Sequence, residues 1–158
     1  MINFFRNHQD ILESELSTKL YDQNTFYKVF IKDLKRTRNE VIIESPFVTV
    51  KRLEMFIPIF KKLTEVNVRV IIHTKNPSEL DDYMRDELYR ALSSLLSIKV
   101  QVVFIKGLHR KVVVIDREIL YEGSLNILSQ NNSIEMMRRI ESVNMCWRLA
   151  RFMYKYSF

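Results

Sequence analysis

One cysteine, two glycines and three prolines in 158 residues exclude several architectures at once. With Cys146 alone, the chain can form neither an internal disulfide nor a thiolate metal cluster. So few glycines and prolines leave no flexible linker and no low-complexity segment, and no internal repeat is present. No apolar run approaches the ~18 residues of a membrane span. The opening residues do not read as a signal peptide, because Arg6, His8, Asp10, Glu13 and Glu15 interrupt their apolar positions. A cytoplasmic protein with no membrane partner is the expectation.

What is present has ordinary globular proportions. An apolar share of 47% supports a real core, and one domain over residues 1–158 is expected. With 25 Lys+Arg against 19 Asp+Glu, the net charge is +6. That balance favours a polyanionic partner and does not choose between nucleic acid and an acidic membrane surface.

Hydrophobic spacing predicts alternating helices and strands. Residues 3–16 read as a short amphipathic helix, and Asp22 is placed to cap a second helix reaching about Arg38. VIIESPF, from Val41, reads as a buried strand stopped by Pro46. A helix over residues 50–64, a strand from Val68, a helix over residues 77–95 and a strand from Ile98 follow. KVVVID and ILYEGS then form a hairpin around Arg117 and Glu118, with a further strand from Ile134 and a helix over residues 144–156. This order predicts an α/β fold: a mixed β-sheet with helices on both faces.

The segment from Gly107 to Met137 carries the chemistry. If His109 opens a strand, the two-residue period puts Lys111 on the same face. Ser124 and Asn126 repeat that offset at the other end of the hairpin, where the returning strand can lay them beside His109 and Lys111. An imidazole, an ammonium, a hydroxyl and a carboxamide in one pocket suit a phosphodiester: the donors hold nonbridging oxygens and the imidazole attacks. No H-E-x-x-H arrangement or acidic cluster around His109 has metal-binding spacing, and His8 and His73 lie far away in sequence. Each residue also has a plainer use. Ser124 could be a turn hydroxyl, Asn126 a cap, Gly123 a strand irregularity, Glu135 a solvated strand residue, and Asp116 a turn residue.

The run HRKVVVID, followed by GSLN and a later acidic residue, resembles the phospholipase D-like superfamily, whose signature is H-x-K, four residues, Asp, then G-S-x-N. His109, Lys111, Asp116, Gly123, Ser124 and Asn126 match it, and Glu135 matches the downstream glutamate. Length and the single motif most resemble the small single-motif nucleases. GSLNILSQNNSIEMMRRI also looks like the phospholipase D-like domains attached to helicases and restriction enzymes.

The resemblance implies a metal-independent endonuclease that needs no cofactor and works through a covalent phosphohistidine. His109 would be the nucleophile, Lys111, Ser124 and Asn126 the phosphate ligands, and Glu135 the acceptor of the His109 Nδ1 proton. It implies that Asp116, grouped with these site residues, mostly braces the structure. Because the family pairs two H-x-K motifs and this chain has one, a homodimer with a composite site is expected. DNA is the expected substrate, read through its backbone without sequence specificity, with Lys51, Arg52, Lys61, Lys62, Lys106, Arg110, Arg138 and Arg139 as candidate basic contacts, of which Arg138 and Arg139, on alternate faces, supply at most one. A helicase or restriction-type partner fits the same resemblance. RNA or phospholipid substrates, or a catalytically silent dimeric nucleic-acid-binding module, are the alternatives.

Overall fold

A computed structural model describes residues 18–129 and 132–155; the helix expected over residues 3–16 lies outside them. Seven strands, β1 (Thr18–Asp22), β2 (Glu40–Glu44), β3 (Arg69–Lys75), β4 (Gln101–Ile105), β5 (Val112–Ile115), β6 (Ile119–Gly123) and β7 (Met136–Glu141), form one sheet. Its order is β1-β7-β6-β5-β2-β3-β4. β2, β3 and β4 are parallel, and every other neighbouring pair is antiparallel. The helices are α1 (Phe26–Leu34), α2 (Val50–Leu53), α3 (Ile57–Glu65), α4 (Asp82–Ser97) and α5 (Val143–Tyr154).

Alternation along the strands divides the sheet into two unequal cores. Val41, Ile43, Val70, Ile72, Val113 and Tyr121 face α1 to α4, with Phe26, Phe30, Phe56 and Phe60 buried between. The opposite face presents Ile42, Ile71, Val112, Val114, Leu120 and Ile140 to Cys146 and Met153 of α5. The mixed sheet with helices on both faces is thus the architecture found.

Several element boundaries differ from the sequence reading for identifiable reasons. Asp22 ends β1: its carboxylate accepts from Asn24 N (3.0 Å), Thr25 N (2.9 Å) and Thr25 Oγ1 (2.8 Å), so α1 begins only at Phe26. The expected helix over residues 50–64 is two helices. Pro58 sits in the first turn of α3, where its ring is tolerated; within a continuous helix it would meet the carbonyl of Glu54. Asn76 and Pro77 open a short 3₁₀ turn, after which Asp81 caps α4 by accepting from Met84 N at 2.8 Å. β1 itself was not expected, since TKLYD is a half-exposed edge strand with little apolar signal.

Candidate active site at the open end of the hairpin

The β5–β6 hairpin places the motif residues. Its strands pair Val112 with Glu122 and Ile115 with Ile119, and Gly123 N donates to the Lys111 carbonyl at 3.3 Å. The chain before β5, residues 108–111, therefore lies beside the chain after β6. His109 is exposed there, and the Lys111 ammonium donates to the His109 carbonyl at 2.7 Å.

Gly123 is required by close approach. A Cβ at this position would lie 2.1 Å from the Met136 carbonyl oxygen and 2.9 Å from Met137 Cα. The next residue uses that proximity. Ser124 N donates to Met136 O (3.0 Å), and Met136 N donates to Ser124 Oγ (3.1 Å). This ladder brings Glu135 to the same end of the sheet, where its N–H donates to Gln23 Oε1 at 3.0 Å. Segment 108–111 and residue 135 thus flank the end of β6 on its two sides, with 124–126 following directly from it.

Asn126 sits in a tied-down turn. Ser129 N donates to Asn126 O, Leu128 N to Ser45 Oγ (3.0 Å), Thr49 N to Leu128 O (2.9 Å), and Tyr27 Oη to Ile127 O (3.1 Å). Leu125, Ile127 and Leu128 are buried under this turn. The Asn126 Oδ1 atom is itself buried and has no hydrogen-bond partner among the described residues, a costly state outside a functional site. Burial pushes the Tyr27 phenol up to about 12, against the lowering influence of Arg52, whose guanidinium lies 4.0 Å from its ring centroid. Tyr27 stays a neutral donor to the turn.

Asp116 lies at the opposite end of β5. Its carboxylate accepts from Arg38 N (2.8 Å), Asn39 N (2.8 Å) and Glu40 N (2.9 Å), tying the hairpin turn to the start of β2. Asp116 and Arg117 both adopt positive φ (50° and 60°), and Glu118 N closes the turn on Ile115 O. The side chain is a brace and does not share a pocket with His109.

The basic residues divide similarly. Arg138 and Lys111 line a groove of about 440 Å³ with Leu20, Gly123, Met136 and Leu149. Arg139, proposed from sequence as a backbone contact, is 11% exposed at its side chain, between Asp33 (2.7 Å) and Glu141. Its charge is already matched, and Tyr121 Oη also meets Asp33 at 2.5 Å. A larger cavity of about 730 Å³ lies at the Asp116 end, where Asp33, Asp116, Arg139 and Glu141 among its lining residues are engaged in the contacts just described. Among the described residues no cluster of three or more His, Cys, Asp or Glu side chains could hold a metal ion, and no helix is long and apolar enough to cross a membrane.

A buried charged cluster next to the motif escaped sequence reasoning. Glu44 is fully buried, accepts from Arg110 Nε (2.7 Å) and Nη2 (2.8 Å), and lies 3.2 Å from Nδ1 of buried His73. Burial would raise the Glu44 carboxyl, but hydrogen bonds from His73 and Arg110 outweigh it and hold the group below its ordinary range. The available signal was a glutamate and a histidine at the ends of the apolar runs EVIIE and VRVIIH.

Comparisons with known proteins agree with this fold. Residues 30–154 match the family model described as cardiolipin synthase, phospholipase D-like domain. NucT from Helicobacter pylori superposes with a TM-score of 0.69 at 17% identity, covering 88% of this chain and 94% of that one. Nuc from Salmonella typhimurium, a phospholipase D family member, gives 0.73 at 10% identity, over 89% and 93%. TrmBL2, an archaeal chromatin protein with a novel mode of DNA binding, gives 0.61 at 12%, over 98% of this chain and 61% of that one. No curated protein sequence matches the chain.

Proposed function

Since the chain belongs to the phospholipase D-like family, matched over residues 30–154, we propose that it is a metal-independent phosphodiesterase cleaving the DNA backbone through a phosphohistidine. The observation that carries this reading is the convergence of three separate segments, 108–111, 124–126 and 135, at one end of the β5–β6 hairpin.

In the proposed mechanism His109 Nε2 attacks phosphorus while Glu135 accepts the Nδ1 proton, fixing the tautomer and stabilising the imidazolium. Lys111, Ser124 and Asn126 donate to the nonbridging oxygens as charge develops on them. The leaving oxygen departs opposite the nucleophile and needs a proton from that side. A second copy of the chain supplies it from its own His109, which then deprotonates the water that hydrolyses the phosphohistidine. Ile134 is 93% exposed and Met136 54%. These apolar side chains flank Glu135 and suit burial against that second copy. DNA is favoured as substrate by the basic balance of the sequence and by the DNA binding stated for the archaeal relative.

Cleavage of labelled single- and double-stranded DNA in excess EDTA, with RNA and phospholipid vesicles in parallel, tests the reading. The wild type should cut DNA, and His109→Ala should lose ~10³-fold or more in rate with an unchanged melting temperature, because the residue is exposed. Equal cutting by His109→Ala would overturn the nucleophile. Turnover of lipid or RNA alone would overturn the substrate, and a monomer cutting at full rate would overturn the composite site.

A further inference from the structure

The Glu44–His73–Arg110 cluster is costly to build, and the mechanism above does not use it. Taking a carboxylate out of water costs several kcal/mol, and an apolar set of similar volume often serves stability as well. The neighbouring positions on this face, Ile42, Ile71 and Val112, are apolar. Glu44 sits in register with His73 on β3 and with Val112 on β5. Arg110 comes two residues before Val112, between His109 and Lys111, and its side chain turns back onto Glu44 through two parallel hydrogen bonds. Such a fork fixes orientation as well as position. A carboxylate accepts only, so His73 Nδ1 carries the proton it gives to Oε1. Ser45 N donates to the His73 carbonyl at 3.0 Å, and Thr74 Oγ1 to Pro46 O at 3.2 Å, which lock the ends of β2 and β3 together. The clamp thus joins a rigid pair of central parallel strands to the segment that carries His109 and Lys111.

We propose that Glu44, backed by His73, is a positioning residue that acts through Arg110 to hold the main chain of residues 109–111 in its reactive geometry. The proposal rests on the phosphodiesterase reading above for its kinetic consequence, but not for its structural one. His109 is exposed and stands outside a regular strand, so packing alone gives it little restraint. The fork on Arg110 supplies that restraint from the core. Misplacement of a reacting group by about 1 Å is enough to cost on the order of 10²-fold in rate.

The test measures kcat and KM on a labelled DNA oligonucleotide in EDTA for Glu44→Gln, Arg110→Ala and Arg110→Lys. Amide hydrogen exchange is followed over residues 108–112 of the same samples. Glu44→Gln and Arg110→Ala should each lose ~100-fold in kcat with KM within about threefold. Arg110→Lys, keeping the charge but not the fork, should fall between them and the wild type. The double variant Glu44→Gln/Arg110→Ala should be no worse than either single one. Exchange should accelerate over residues 108–112 and remain unchanged in α1 and α3.

A folded Glu44→Gln with wild-type kcat and unchanged exchange at 108–112 would overturn the proposal. Raised KM at full kcat in the Arg110 variants would do so too, making Arg110 a substrate ligand. Should Glu44→Gln not fold, the Arg110→Lys pattern decides in its place. If the wild type cleaves no DNA, local exchange in the variants still decides the clamp, and only the phosphodiesterase reading falls.

Discussion

Glu40 and Glu44 bound the same five-residue strand, are 3% and 0% exposed, and both accept from an arginine close to the β5–β6 hairpin. Their surroundings differ. Glu40 receives Arg117 from the hairpin turn (3.2 Å), Arg69 from the start of β3 (2.6 Å) and the Tyr154 hydroxyl from α5. Arg117 in turn lies 4.4 Å from the Trp147 ring centroid and 5.3 Å from that of Tyr154. This end is a closed knot joining β2, β3, the turn and α5, with Asp116 beside it. Glu44 is met by one arginine and a histidine, and that arginine belongs to the segment bearing an exposed imidazole. Similar chemistry thus serves cohesion at one end of β2 and, in our reading, aim at the other.

Substitutions at the two ends should separate these uses. The largest effect on folding is expected at the site end itself, from Gly123→Ala. The new Cβ meets backbone at Met136, so β6 and β7 must part, at a cost of about 3 kcal/mol or more in urea denaturation. DNA cleavage should fall with it, because Ser124 moves too. At the other end, Asp116→Ala leaves the Arg38, Asn39 and Glu40 amides without their acceptor and should cost about 2–3 kcal/mol. Cleavage per folded molecule should stay within about threefold of wild type. A large loss of specific activity there would dissolve the distinction between the ends.

The smallest expected effect is in acid. The Glu44 carboxyl is held below its ordinary value of 4.5, so its contribution to stability is complete above that value. It is lost as pH falls through the lower folded-state value, because protonation then favours the unfolded chain. Denaturation series between about pH 6 and pH 3 should show a shallower acid decline in Glu44→Gln than in the wild type. An identical decline would mean that the fold does not lower the Glu44 carboxyl below its ordinary value.

The comparison also marks how far the sequence alone reaches. Continuous apolar runs announced β2, β3 and β5, and the hairpin was legible because its two strands are separated by so few residues. The adjacency of Lys111 and Gly123 followed from that hairpin, since antiparallel register is set locally. Glu44, His73 and Arg110 were not legible as a group. Their meeting depends on a parallel pairing between strands separated by α2 and α3, and no local pattern encodes that register. Which of Arg138 and Arg139 faces the groove was not legible for a related reason: Asp33, the partner that holds Arg139, lies on α1, distant in sequence. The split between α2 and α3, by contrast, could have been read from Pro58.

The pairing of β1 with β7 joins Thr18 to Ile140 and Asp22 to Met136. During synthesis the first strand therefore waits, unpaired, until nearly all the other described elements have left the ribosome. Contacts of such long sequence separation form late, because loop closure must precede any reward. Until then β6 and the nascent β1 both present open edges, the surfaces through which unfinished β-proteins aggregate. The Ser124–Met136 contact spans only 12 residues and needs β7 but not β1, so the candidate site closes before the edge strand joins the sheet.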